Sequence, residues 1–174
     1  MDQIPTQDQS PTQDLVVRRI IDAPIEMVWK MWTEPEHVMR WWGPQHYRSP
    51  SCAIDLRVGG TYVFSMQAPA DQGGQTSYSG GVYTRIIEHE LLEFTAGLCD
   101  EHGTPIDPAD LAAMGLPEGV PAAQLHTVTF ARRRDMTELT IVEHEWPMSQ
   151  MYVYALAGLH QSIDKFADVL DAQP

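Results

Sequence analysis

From Leu15 onward the apolar residues follow two alternating periods, and each change of period marks an element boundary. The run LVVRRIID, Leu15 to Asp22, is short and β-branched, so it predicts a strand. It stops at Ala23-Pro24, where proline suits the first turn of a helix. In PIEMVWKMW the residues Ile25, Val28, Trp29 and Trp32 recur at steps of three and four, which predicts a short helix with one buried face. Thr33 and Glu36 match a T-x-x-E capping box with Pro35 in its first turn, predicting a second short helix through His37 to Trp42. Gly43-Pro44 ends that helix, because proline has no amide to donate and disfavours helical geometry in the residue before it.

Beyond this corner the period falls to two. Ile54, Leu56 and Val58 alternate with Asp55 and Arg57, predicting a strand that turns at Gly59-Gly60 into TYVFSMQ, with Tyr62, Phe64 and Met66 on one face. Trp41 and Trp42 then read as a wedge in the core between the helix corner and the sheet. APADQGGQTSY reads as a loop, and GGVYTRIIEHE and LLEFTAG as two further strands around a turn near Glu88 to Glu90. Residues 97–125 contain Pro105, Pro108, Pro117 and Pro121 and only a brief helical run at Ala109 to Met114. A loop of that length in a compact domain is often functional, so the segment from Asp100 to Gln124 is expected to act as a lid over a cavity mouth. LHTVTFARRRDMTELTIVEHEW reads as strand, tight tip and strand. Ser149 can cap a last helix to about Leu170, striped by Tyr152, Ala155, Leu159, Ile163, Phe166 and Leu170.

These elements predict an α+β fold: a curved antiparallel sheet of about six to seven strands wrapped around one long C-terminal helix, with two short helices after the first strand. Such a sheet has one face to bury, and space left between it and the helix is the natural place for a ligand. The 174 residues suit one domain, expected at 15–171. Residues 1–14 are rich in Gln, Asp, Pro and Thr and are expected to form a flexible tail.

Composition narrows the partners. Lys and Arg total 11 against 24 Asp and Glu, and the net charge of −13 repels a phosphate backbone, so nucleic acid is not an expected partner. Arg132-Arg133-Arg134 is the one basic cluster, and it falls at a hairpin tip. No apolar run approaches the roughly 18 residues of a membrane span. The first residues lack the basic start and apolar stretch of a secretory signal, so a cytoplasmic location is expected. Cys52 and Cys99 are far apart and belong to no C-x-x-C pattern, which argues against a disulfide framework or a zinc site.

The sequence carries no G-x-S-x-G elbow, H-E-x-x-H helix or glycine-rich phosphate loop, and no cofactor is expected. The triplets in IEHEL and VEHEW do not predict a metal site, because strand alternation turns His144 away from Glu143 and Glu145. The expected cavity wall is Tyr62, Phe64, Met66, Phe94, Met151 and Tyr154, joined by Val128 and Phe130 on the inward face of the last hairpin. A two- or four-residue tip there would pair Phe130 with Leu139, Val128 with Ile141 and His126 with Glu143. An imidazole opposite a carboxylate in an enclosed space is a candidate acid–base pair, with Glu145 on the same face to assist. In this register Val142 and Trp146 face outward, and a β-bulge would reverse the assignment.

The segments DAPIEMVWKMWTEPEHVMRWWGP, IDLRVGGTYVFSM, GGVYTRI, HTVTFARRRDMTELTIVEHE and GLHQSIDKFADVL together resemble the SRPBCC superfamily, also called START-like or helix-grip. Within it the chain is similar to bacterial homologues of the activator of heat-shock-protein ATPase, from about Leu15 to Leu170. The stretch GTPIDPADLAAMGLPEGVP looks like the variable insertion of one subgroup. The superfamily includes lipid carriers, hormone receptors, aromatic cyclases and co-chaperone modules. The resemblance therefore implies a small hydrophobic or aromatic ligand, and as alternatives a chaperone or stress-response partner, a homodimer partner, or cyclase- or hydrolase-like chemistry. In the co-chaperones the domain accompanies an amino-terminal domain that has no counterpart here, which weighs against that alternative. One departure stands out: Gly158-Leu159 replaces the family's usual Gly-Trp and removes an indole from the cavity wall.

Overall fold

The stripe on the last helix is buried against a sheet that curves around it, with Leu159, Ile163, Phe166 and Leu170 all in the core. The structure, a computed structural model, describes residues 11–114 and 119–172. In chain order the elements are β1 (Thr12–Ile21), α1 (Ile25–Thr33), α2 (Pro35–Trp41), β2 (Cys52–Ile54), β3 (Thr61–Gln67), β4 (Thr76–Ile87), β5 (Leu91–Cys99), α3 (Pro108–Ala113), β6 (Gln124–Arg133), β7 (Met136–Pro147) and α4 (Gln150–Asp171). The seven strands form one antiparallel sheet in the order β1-β7-β6-β5-β4-β3-β2. This is the helix-grip α+β arrangement. Ser149 caps α4 as its position suggests, its hydroxyl accepting the Tyr152 amide. Among the described residues no helix is long and apolar enough to cross a membrane.

The corner between α1 and α2 is held differently from the expected capping box. Thr33 is the last residue of α1 and its hydroxyl donates to the Trp29 carbonyl, while Glu34 caps α2 with no side-chain hydrogen bond. With one residue between the helices, Thr33 is still inside the first when the second begins. The joint is made by Trp41, whose Nε1 donates to the Met31 carbonyl at 2.7 Å and whose ring meets Phe166 at 5.1 Å. Trp41 is fully buried, as the wedge reading expects. Trp42 is only half-buried and leans on Phe64, ring centroids 4.9 Å apart.

Several boundaries differ from the sequence reading, β4 for one beginning at Thr76 inside the expected loop. β1 starts at Thr12, so 12–14 of the expected tail are strand, while 1–10 lie outside the described residues. Its first residues are polar, and it is backbone pairing to β7 and the bond from the Glu145 amide to Asp14 Oδ1 that hold them. The alternation from Ile54 to Val58 is not a strand: β2 ends at Ile54, and Leu56 and Val58 are 40% and 60% exposed. The chain instead folds tightly, Arg57 donating to the Asp55 carbonyl and Gly60 to the Arg57 carbonyl. A Cβ on Gly60 would lie 2.1 Å from the Asp55 oxygen, so only glycine permits this closure.

The chain after α2 is fastened to α4 by the Gln45 amide, which donates to Gln161 Oε1 at 3.1 Å, and by one cation. Lys165 Nζ donates to the carbonyls of Gly43, Pro44 and Tyr47 at 3.0, 3.3 and 3.0 Å. This uses the ammonium's three donors and fixes the rim of the space beside α4.

Candidate functional site

Between the inner face of the sheet and the first half of α4 lies a cavity of about 480 Å³. Strand alternation turns Tyr62, Met66 and Phe94 into it, and α4 contributes Met151, Tyr154 and Leu159. Tyr154 is 57% exposed and stands at the mouth. Three of the expected wall residues are elsewhere. Phe64, Val128 and Phe130 face inward but are sealed in the core, Phe130 under Trp29 at 5.2 Å and Phe64 between Trp42 and Tyr62. Alternation gives the face of a side chain but not its place along the strand, and α1 covers that end of the sheet.

The polar end of the cavity is the pair read from the hairpin register. His126 pairs with Glu143, Val128 with Ile141 and Phe130 with Leu139. His126 Nδ1 and Glu143 Oε1 are 3.8 Å apart, with side chains 15% and 13% exposed. This spacing exceeds a hydrogen bond. Gln124 decides which ring nitrogen carries the proton. Its Nε2 donates to the His144 carbonyl at 2.7 Å, which turns its Oε1 toward His126 Nε2 at 3.2 Å. His126 Nε2 must then be the donor, and the Nδ1 lone pair faces Glu143.

Burial pushes Glu143 up to about 7, opposed by the hydrogen bond from Trp146, and it pushes His126 down to about 4, with His144 adding to the effect. Each partner thus favours its neutral form, and near neutral pH the imidazole is uncharged while the carboxyl is balanced between its two states.

Glu145 does not join the pair. The β1–β7 register jumps from Leu15↔Glu143 to Gln13↔Trp146, and Glu145 takes a left-handed φ of +56° and points to solvent. One extra residue on β7 reverses the alternation, turning Glu145 out and Trp146 in. Trp146 Nε1 then donates to Glu143 Oε2 at 2.7 Å.

Trp146, Trp42 and Gln124 line the cavity and were not among the candidates read from sequence. Trp146 was hidden by the bulge, Trp42 by its likeness to the core residue before it, and Gln124 by its place at the end of a loop without period. The long connection also divides. Asp100 Oδ1 accepts the amides of His102 and Thr104, and Pro105 bridges back to Cys99. That turn lies on the outer face of the sheet, with Gly103 against Val63. At the return end Pro121 and Gln124 reach the cavity. Residues 115–118 lie outside the described residues.

Among the described residues one group of possible metal ligands converges, Glu34, Glu36 and His37, with ligand atoms within 4.8 Å of one another. It sits at the α1–α2 corner, outside the cavity lining, and Glu34 already pairs with His37 at 3.3 Å.

A family model described as "Activator of Hsp90 ATPase homolog 1-like protein" matches residues 22–171. Similar solved structures include a protein from Arthrobacter aurescens, 25% identical, covering 92% of this chain and 87% of that one with a TM-score of 0.71. A protein from Chromobacterium violaceum is 24% identical over 92% of this chain and 98% of its own, TM-score 0.70. The AHSA1 protein from Silicibacter pomeroyi is 19% identical over 91% and 98%, also at 0.70. No curated protein matches the chain.

Proposed function

This chain belongs to the activator of Hsp90 ATPase homolog 1-like family, and from that premise we propose that it binds a small hydrophobic or amphipathic molecule between its sheet and α4. The observation that carries this reading is the cavity of about 480 Å³, walled by aromatic side chains and closed at one end by a buried polar pair. That is the size and character of small-molecule sites in general: an apolar body with a few placed polar groups. Leu159 supports it, because it lines the cavity where the family's usual tryptophan would take up space.

The test is a thermal-shift and native mass-spectrometry screen of aromatic and lipid-like compounds against the wild type and Leu159→Trp. Binding to the wild type and its loss in the filled variant is the expected result. A wild type that holds nothing, or a variant that binds as well, would sink the proposal.

A second reading is favoured by the 3.8 Å separation of His126 and Glu143 inside the same space. In it the two act as general base and acid on the bound molecule, and Glu143→Gln retains binding but stops turnover. The chaperone-directed role implied by the family is checked separately, by adding the protein to a purified Hsp90 ATPase assay. Stimulation would move the function from the cavity to the surface.

A further inference from the structure

The polar end of the cavity offers chiefly acceptors, with the Glu143 carboxyl a donor only while it holds its proton. Four donor groups stand beside the pair, and each makes a hydrogen bond within the protein: Trp146 Nε1 to Glu143 Oε2, His126 Nε2 to Gln124 Oε1, Gln124 Nε2 through one of its two hydrogens to the His144 carbonyl, and the Tyr62 hydroxyl to the Thr95 carbonyl. What faces the cavity is Glu143 Oε1 and the His126 Nδ1 lone pair, 3.8 Å apart. One nitrogen can lie about 2.8 Å from both, within ordinary hydrogen-bond distance.

Charge points the same way. Among the described residues Glu143 is the acid in the lining, and no Lys or Arg lines the cavity. The cation on the neighbouring stretch of α4, Lys165, spends its donors on three backbone carbonyls at the rim. A carboxylate or phosphate head would therefore enter without a counter-charge and meet the Glu143 carboxyl. Aromatic rings of Trp42, Tyr62, Phe94 and Trp146 line the same space, and such faces attract a cation while burying an apolar body. At long range the net charge of −13 draws cations toward the protein.

We propose that the ligand is an organic amine, an ammonium head on an aromatic or alkyl body, with the head held between Glu143 Oε1 and His126 Nδ1. The proposal rests on the cavity being a ligand site and adds the class of ligand it takes. An ammonium stabilises the carboxylate over the carboxyl. An amine that arrives already protonated therefore pairs with Glu143 as the carboxyl gives up its proton to solvent, and no other group changes state.

The test uses three compounds with one body and three heads, 3-phenylpropylamine, 3-phenylpropanol and 3-phenylpropanoate, titrated calorimetrically into the wild type and Glu143→Gln. The amine should bind roughly tenfold more tightly than the alcohol, and the carboxylate most weakly. In Glu143→Gln the amine should lose its advantage while the alcohol still binds. Below neutral pH, buffers of different ionisation enthalpy should reveal proton release with the amine and none with the alcohol.

An alcohol that binds as tightly as the amine, or a preference that survives in Glu143→Gln, overturns the proposal and leaves the cavity reading standing. If none of the three binds, the amine proposal is also overturned. The cavity reading falls with it only when the wider compound screen is empty too.

Discussion

Trp146 and Glu143 are three residues apart on β7, where regular alternation would place them on opposite faces, yet the indole Nε1 donates to the carboxylate Oε2 at 2.7 Å. The bulge at Glu145 brings them together, and the bond sets both the direction of the carboxyl and part of its acidity.

Glu143→Gln should stabilise the protein in mild alkali. Burial raises the folded pKa to about 7 from the ordinary carboxyl value of 4.5. The folded state thus holds a proton that the unfolded chain releases between those values, and wild-type stability falls as pH rises through that window. The amide carries no charge and can still accept from Trp146. At about pH 8 the variant should gain about 2 to 3 kcal/mol in urea unfolding, with no gain near pH 4. Equal differences at both pH values would show that the carboxyl is not buried in this way.

Trp146→Phe keeps an aromatic side chain, though a smaller one, and removes the donor. Since that hydrogen bond lowers the Glu143 pKa against the effect of burial, its loss should move the titration upward from about 7. Carbon-detected NMR of the Glu143 carboxyl reads this directly. A fall would mean that solvent enters when the indole leaves.

The tautomer of His126 should be the one protonated at Nε2. Nitrogen chemical shifts of a labelled imidazole should show it near neutral pH, and protonation of the ring should wait until about pH 4. Because the folded pKa is depressed, this group removes stability as pH falls from its usual range toward that value. In Gln124→Ala the fixed acceptor is gone, and the preference for one tautomer should weaken.

Lys165→Ala should loosen the cavity rim. The change removes three bonds to the carbonyls of Gly43, Pro44 and Tyr47. A loss of about 1 to 3 kcal/mol in unfolding free energy is expected, with faster amide exchange over 43–47 than over the sheet. Unchanged exchange there would mean that packing and the remaining bonds, such as that from the Gln45 amide to Gln161 Oε1, hold the segment without Lys165.

Local periodicity carried much of the fold. Two short helices at the Pro24 and Pro35 boundaries, hairpins around the glycine and arginine turns, and the stripe of α4 are all legible because each depends on neighbours a few residues away. The pairing of His126 with Glu143 was legible too, since a tight turn fixes the register of the strands it joins. The Ile54 to Val58 stretch failed because its alternation matches a strand, while a single close approach, Gly60 to the Asp55 oxygen, forces a turn.

What the chain could not announce locally depends on partners distant in sequence. The bulge that turns Trp146 inward is held by Asp14, which accepts the Glu145 amide from a strand more than a hundred residues earlier. The protonated nitrogen of His126 depends on the direction of the Gln124 amide, which is set by a carbonyl on β7. Phe130, Val128 and His126 share one inward face, and only the placement of α1 and α4 over the sheet decides that the first two fill the core while the third meets a cavity. Period fixes which way a side chain points, because successive Cβ directions are a property of the backbone itself. What the side chain then meets is decided by the elements that close over it.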